Sequence, residues 1–189
     1  MQRTSDRLGR CDAIADTDCG SVPASIRESD GAIDDAVGVA YQEDEEPMDV
    51  PAVLSALNKA LSLMYRSAIQ YTVASGSLFG LQYMALGTEL KAYGEAELAD
   101  TRLIVEKIAS LEGHPSTYVA PFEWSGNPED AVKLILDAEK EAVDALRDVI
   151  PHTGTESRSE ALEHLMEHLI LRKQNQLDFL LRTRRAPTD

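Results

Sequence analysis

The sequence predicts an all-α protein whose folded part is a four-helix bundle, made of two antiparallel hairpins joined by a long crossover. Apolar residues recur at helical spacing in four segments after Asp49, and no segment shows the alternating pattern of a strand. Composition agrees, since aromatic residues make up only 5% of the chain, with 11 Gly and 8 Pro.

The first predicted helix begins after Asp49, which can cap it, and has Pro51 in its first turn. It is expected to run to about Phe79 and to end at Gly80. Its apolar face is a set of residues at helical spacing: Leu54, Leu57, Leu61, Met64, Ala68 and Tyr71.

The second predicted helix begins near Leu81 and ends at Gly113, a residue type that commonly ends helices, with Pro115 just beyond. Its inward face is expected to carry one acidic residue among apolar ones: Leu86, Leu90, Tyr93, Glu97, Ile104 and Ile108.

The third predicted helix starts at Asn127, followed by Pro128 and two acidic residues. A cap, a proline and negative charge all favour the start of a helix at this point. The helix is expected to end at Ile150, because Pro151 cannot continue it.

The fourth predicted helix starts with a capping box, Ser157 with Glu160, and runs to about Arg184. The links before it and at Gly80 are short, so each joins an antiparallel hairpin. Residues 114–126 are long enough to run the length of a bundle, at about 3.3 Å per extended residue. Two hairpins joined by such a crossover form the ferritin-like arrangement rather than a simple up-and-down bundle.

The chain is acidic, with 33 acidic and 18 basic residues and a net charge of -15. Direct binding to nucleic acid is therefore not expected, because it needs clustered basic residues. No signal peptide and no run of 18 apolar residues is visible, which predicts a cytoplasmic protein that does not enter a membrane.

The acidic residues are concentrated in the first 49 positions, where apolar residues show no period. Residues 1–47 are predicted to be a disordered acidic tail, followed by the bundle at 48–185 and a short C-terminal tail at 186–189. Two interpretations of the acidic tail are equally favoured: a solubilising segment, or an extension upstream of a true start at Met48. An interaction arm is less favoured. Cys11 and Cys19 in this tail are weak evidence for metal or redox chemistry.

Several short motifs resemble the bacterioferritins, a family of the ferritin-like superfamily. Leu57-Asn58-Lys59-Ala60-Leu61 and Ala68-Ile69-Gln70-Tyr71 are similar to the opening helix of that family, and Leu111-Glu112-Gly113 with Pro115 to the end of its second helix. The resemblance spans about residues 50–182. It implies iron storage in a hollow shell and a di-iron centre that oxidises ferrous iron. That centre is built from a Glu on each of two helices and Glu-x-x-His on each of the other two.

The resemblance places three oxygen ligands of this centre on the present chain and removes the others. The retained positions are Glu97, Asp100, which replaces a His, and Glu139. The lost positions are Met64 for the first-helix Glu, and Lys173 and Gln176 for the fourth-helix Glu and His. A cation therefore stands at a ligand position, where Lys173 is expected to neutralise the site.

Charge counting argues against a di-iron centre. Two ferrous ions need four carboxylates, whereas three carboxylates and the Lys173 ammonium leave a net of two negative charges. A buried salt-bridge cluster is favoured over metal binding at Glu97, Asp100 and Glu139. An error of one turn in the assumed helix register is the other possibility, and it would leave Glu97 and Glu139 in solvent.

Two other features of the family are also missing from the matching positions. Leu98 stands where bacterioferritins have the Met that ligates haem, so no haem is expected. Residues 182–189 are too few for the family's fifth helix, which puts the large shell in doubt.

A second candidate metal site is the pair His164 and His168, spaced four apart on the fourth helix. In the family register this face points away from the bundle core and meets no ligand from another helix. The favoured interpretation is two solvated histidines flanked by Glu163 and Glu167.

The sequence therefore favours a ferritin-like protein with a largely lost di-iron centre, acting as a non-catalytic structural or interaction subunit of an assembly. Copies of the same chain or another ferritin-like chain are the expected partners, and no cofactor is expected. The alternative is an enzyme, an iron-storing ferroxidase that binds iron or another divalent metal at a reduced site formed by Glu97, Asp100 and Glu139.

Overall fold

The computed structural model describes residues 45–184, which contain four helices and no strand. The helices are α1 (Val50–Ser77), α2 (Met84–Ser110), α3 (Pro128–Arg147) and α4 (Ser157–Thr183). Short 3-10 turns at Leu81–Tyr83 and Ile150–His152 lie in the two hairpin links. The predicted all-α, four-helix class is therefore confirmed. None of the described helices has both the length and the apolar character needed to cross a membrane.

The predicted caps of α1 and α3 are present. The Asp49 carboxylate accepts a hydrogen bond from the Ala52 N–H at 3.1 Å. The Asn127 side-chain oxygen accepts from the N–H groups of Glu129 at 2.9 Å and Asp130 at 3.2 Å. Because a cap satisfies N–H groups that have no partner within the helix, these residues fix where each helix begins.

The predicted capping box of α4 is wrong. Ser157 is already the first helical residue, and the cap position belongs to Glu156, whose side chain makes no capping hydrogen bond. Its carboxylate instead accepts from the Met48 N–H at 3.1 Å and from Arg158 Nε at 2.7 Å. A hydrogen bond to Met48, which is distant in the sequence, is thus formed at this helix start in place of the predicted local capping hydrogen bond.

The other helix ends also differ in detail from the prediction. α3 ends at Arg147 rather than Ile150, because the ring of Pro151 conflicts with the carbonyl four residues before it. α2 ends at Ser110 and is followed by Glu112 in the left-handed region at φ 60°, and the Gly113 N–H bonds to the Ile108 carbonyl at 2.9 Å. A Cβ at Gly113 would meet the terminal methyl groups of Leu54, so a larger residue there would require the Leu54 side chain to shift.

The crossover between α2 and α3 lies along α1. The Asn58 side chain accepts from the Ser116 N–H at 2.7 Å and donates to the His114 carbonyl at 3.3 Å. Further along, the Ala120 N–H bonds to the Ser62 carbonyl at 3.1 Å. These contacts advance along both segments in step, so the crossover follows the bundle axis as the sequence predicts.

The hydrophobic core consists of two clusters. One includes Met64 on α1, Ile104 on α2 and Leu169 on α4. The other lies further along the bundle and includes Tyr71 on α1, Leu90 on α2, Leu136 on α3 and Leu177 on α4. Buried polar residues occupy the helix positions between the two clusters: Ser67, Glu97, Asp100, Glu139 and Lys173.

The folded region begins before Met48, the start that the sequence predicts. Glu46 exchanges two hydrogen bonds with Thr155, both at 2.8 Å, and Met48 is buried in the core. Residues 46 and 47 thus pack on the link between α3 and α4. Residues 1–44 of the predicted acidic tail, with Cys11 and Cys19, and the predicted C-terminal tail at 186–189 lie outside the described residues.

Gly154→Ala is expected to lower the free energy of unfolding by about 1–2 kcal/mol. Gly154 has φ +73°, and a Cβ there would collide with the Glu46 carbonyl oxygen and with Pro47. Denaturant unfolding measures the change, with Gly126→Ala as the matched control, because a Cβ at Gly126 meets nothing within 4 Å. Equal stability of the two variants would show that residues 46 and 47 do not pack on this link.

A buried charge cluster at the candidate metal centre

The centre of the cluster is an ammonium between two carboxylates from different helices. Lys173 on α4 donates to Glu139 on α3 at 2.6 Å and to Glu97 on α2 at 2.9 Å. All three side chains are completely buried. Three of the four residues that the sequence placed at the candidate site, Glu97, Glu139 and Lys173, are therefore in direct contact.

Asp100, the third predicted acidic ligand, faces a different cation. Arg172 Nη1 on α4 lies 2.6 Å from Asp100 Oδ1, in an ion pair that is buried on the acidic side only. The contact lacks hydrogen-bond geometry, so neither Asp100 oxygen has a hydrogen-bond donor among the described residues. Asp100 is thus an ion-pair partner of Arg172, which the sequence analysis did not single out.

α1 contributes neutral groups to the cluster. Ser67 Oγ lies 3.4 Å from Lys173 Nζ and accepts its third hydrogen bond. Met64, at the lost first-helix position, is fully buried in the hydrophobic core. Gln176, at the lost fourth-helix position, accepts a hydrogen bond from the Tyr71 hydroxyl at 3.4 Å. The face that α1 turns towards the cluster therefore carries no carboxylate.

Three polar residues at or near the cluster were not predicted from the sequence: Ser67, Arg172 and Arg66. Arg66 donates to Glu141 at 2.7 Å and to the Ala138 carbonyl at 2.8 Å. Arg172 could have been predicted as a partner of the site, because it is a basic residue that directly precedes the inward-facing Lys173. Nothing local marks Ser67, because a serine on a helix is neutral with respect to burial.

Burial dominates the electrostatics of the cluster. It raises the pKa of Glu97 from 4.5 to about 7. The Lys173 ammonium lowers this pKa, whereas the nearby Glu139 and Asp100 carboxylates raise it further. Burial alone would lower the pKa of Lys173, but Glu139 and Glu97 raise it above 10.5. The Lys173 ammonium is therefore retained at physiological pH, whereas Glu97 changes its charge near neutrality.

Burial also raises the pKa of Asp100. The nearby basic residues Arg172, Lys173 and His168 lower this pKa but do not offset the effect of burial. The pKa of Tyr71 is raised well above 10.0 by burial and then by the Glu139 and Glu97 carboxylates. Tyr71 therefore stays protonated and can donate its hydrogen bond to Gln176.

Metal ligation needs several convergent donors. Glu97 Oε1 and Glu139 Oε1 have no hydrogen-bond partner among the described residues, but their other oxygens both bind Lys173. Across residues 45–184, no group of three or more His, Cys, Asp or Glu side chains is arranged to hold a metal ion. The local geometry is that of an ion-pair network.

The remaining candidate residues lie on the bundle surface. His164 and His168 are exposed on α4, and His164 Nδ1 lies 3.3 Å from Glu167 Oε2. This agrees with two solvated histidines. Leu98, at the position of the family's haem ligand, is 56% exposed on α2.

The chain matches the family model of the ferritin-like domain over residues 54–184. No curated protein sequence matches it significantly. A ferritin-like, di-iron-carboxylate protein of Bacillus anthracis str. Ames has a similar structure, with a TM-score of 0.67 and 19% identity, covering 71% of this chain and 96% of that one.

Two further solved structures are similar. The Rhodobacter capsulatus bacterioferritin aligns with a TM-score of 0.63 and 22% identity, covering 69% of this chain and 81% of its own. The protein BfrA of M. tuberculosis aligns with a TM-score of 0.64 and 20% identity, covering 70% of this chain and 82% of its own. At such identities, the likeness to these structures establishes the fold alone.

Proposed function

This chain belongs to the ferritin-like domain family, and we propose that it is a bacterioferritin-type member in which a salt-bridge cluster replaces the di-iron centre. In this proposal it is a non-catalytic structural or interaction subunit of a cytoplasmic assembly. Its partners are copies of itself or another ferritin-like chain. The observation that carries the proposal is the position of Lys173, 2.6 Å from Glu139 and 2.9 Å from Glu97.

The residues present do not fit a pair of divalent ions. The Lys173 ammonium occupies the space between two carboxylates that would have to bridge or flank the metals, and like charge repels a cation there. The third carboxylate, Asp100, already faces Arg172. Neither of the two positions expected for a histidine carries one, since they hold Asp100 and Gln176, and His168, whose charge acts on Asp100, is exposed on the surface of α4.

The alternative function is a ferroxidase with a reduced metal site at Glu97, Asp100 and Glu139. Its support is that four buried carboxylate oxygens of these residues have no hydrogen-bond donor within residues 45–184. Those lone pairs favour a cation, but the site would have to expel Lys173 first. The two functions therefore differ in whether ferrous ion displaces an ammonium that already has two carboxylate partners.

The purified protein is expected to bind fewer than two ferrous ions per chain and to oxidise them no faster than buffer. The variant that combines Lys173→Glu, Met64→Glu and Gln176→His restores three ligand positions and is expected to bind more iron. Elemental analysis and stopped-flow absorbance measure both properties, with Lys140→Glu as a control, since Lys140 is exposed on α3. Stoichiometric iron with a fast oxidation burst in the unaltered protein would support the ferroxidase instead.

The proposal also excludes haem as a cofactor. Leu98 offers no ligand for haem iron, because its side chain carries no donor atom. The same preparation should therefore show no haem absorbance.

A further inference from the structure

The end of the bundle formed by the α1–α2 hairpin exposes an unusual amount of apolar surface. Phe79 is 82% exposed, Leu81 87% and Met84 65%. These three residues, here called the tip, are contributed by the short link and the first residue of α2. Single exposed apolar residues are ordinary, whereas three large ones within six positions form a patch that marks an interaction surface.

The tip lies in the longest uncharged stretch of the chain. From Ser67 to Thr88 there is no Asp, Glu, Lys or Arg, although 27% of the whole chain is charged. The protein carries a net charge of -15, so two copies repel each other through most faces. The tip is a place where two copies can approach without direct contact between like charges.

A groove adjoins the tip on the same uncharged stretch. It is an open depression of about 390 Å³, lined by Gly76 and Leu78 from one side of the link and by Tyr83, Met84 and Gly87 from the other. A Cβ added at Gly76 would meet nothing within 4 Å, so the glycine opens the groove without being needed for packing in its own chain. Lys91 lines the groove as well, and its ammonium lies 3.9 Å from Glu95.

We propose that the tip and this groove form a contact between two copies of this chain. In a two-fold symmetric pair each copy presents the same surface, so a projection and a matching groove must lie side by side on one protomer. Phe79 is the projecting side chain, and the groove beside Gly76 and Gly87 of the second copy receives it. The reciprocal contact buries both tips, and the one charged side chain that lines the groove is Lys91.

The extent of the contact predicts weak association. Aromatic side chains bury 150–250 Å² each and aliphatic ones less, so the six side chains of two tips bury on the order of 1,000 Å² in total. Stable pairs bury at least about 1,200 Å². The contact is therefore one interface of an assembly, or a concentration-dependent dimer when it acts alone. The contact specifies one interface of the assembly proposed above, and it therefore rests on the proposed function.

Sedimentation equilibrium of the full chain tests the contact over about 10–500 µM. The average mass is expected to rise with concentration, and to rise further with added salt, which screens the repulsion between two acidic chains. Gly76→Leu, which fills the groove, and Phe79→Ser, which removes the projection, should each weaken association at least tenfold. Leu171→Ser is the matched control, since Leu171 is 60% exposed on α4, and it should associate like the unaltered chain.

Three outcomes would overturn the contact: a mass that does not change with concentration, an assembly of equal size in the unaltered chain and Gly76→Leu, or binding of the tip to neutral phospholipid vesicles. Circular dichroism checks that each variant folds. If Phe79→Ser does not fold, Gly76→Leu still decides, because its side chain extends into open space. Ferrous oxidation on the same samples separates the two proposals, since a fast burst would count against the lost metal centre and leave the tip contact standing.

Discussion

Lys173→Met is expected to lower the free energy of unfolding by about 3 kcal/mol or more at pH 8. The substitution removes the only group that contacts both Glu97 and Glu139 within the described core, and it leaves two carboxylates facing each other in a buried site. Breaking a buried ion pair by removing one partner is costly, because the remaining charge is neither hydrated nor paired. Chemical denaturation of the unaltered protein and the variant measures the difference.

Two controls separate loss of the charge from loss of packing. Lys140→Met removes an exposed lysine on α3 and should change stability by no more than about 0.5 kcal/mol. Combining Lys173→Met with Glu97→Gln and Glu139→Gln removes all three charges and should recover much of the lost stability. If the triple variant is no more stable than Lys173→Met, the loss arises from packing rather than from stranded charge.

Divalent metal should restore part of the stability of Lys173→Met. Zinc or ferrous ion can take the place of the lost ammonium between Glu97 and Glu139, and a ligand at 100 times its dissociation constant adds about 2.7 kcal/mol. The unaltered protein should gain little, because Lys173 already neutralises both acids. A thermal melt with and without metal tests this, and equal gains in both proteins would contradict the role assigned to Lys173.

Stability is expected to fall as the pH rises from 5 to 8, through the titration of Glu97. Its pKa is about 7 in the folded protein and near the ordinary 4.5 in the unfolded chain. In this window the folded state binds more protons than the unfolded state, so raising the pH favours unfolding. The loss from this one residue is on the order of 2–3 kcal/mol, since one pKa unit is worth about 1.4 kcal/mol.

Glu97→Gln isolates this contribution, because it cannot titrate. The difference in unfolding free energy between the unaltered protein and Glu97→Gln should change with pH in the stated direction. Lys173 does not titrate between pH 5 and 8, because its pKa lies above 10.5. Its contribution to the free energy of unfolding is lost only at a higher pH, as the pH rises through that raised pKa. A difference that stays constant from pH 5 to 8 would mean that Glu97 is hydrated in the folded protein.

The sequence by itself determined the number and order of the helices and the starting points of α1 and α3. Asp49 and Asn127 cap α1 and α3 as predicted, because a cap is a contact between residues two or three positions apart. The helical period also identified the inward faces, including the unusual inward position of Glu97. These signals are local, so a single sequence carries them in full.

Contacts between distant parts of the chain were decided only by the tertiary structure. The partner of Asp100 is Arg172, and the position of Glu156 depends on Met48, 108 residues away. The helical period shows which face a residue occupies but not which side chain of another helix lies opposite it. A buried charge must find a partner because water no longer stabilises it, and its partner is fixed by how the helices pack.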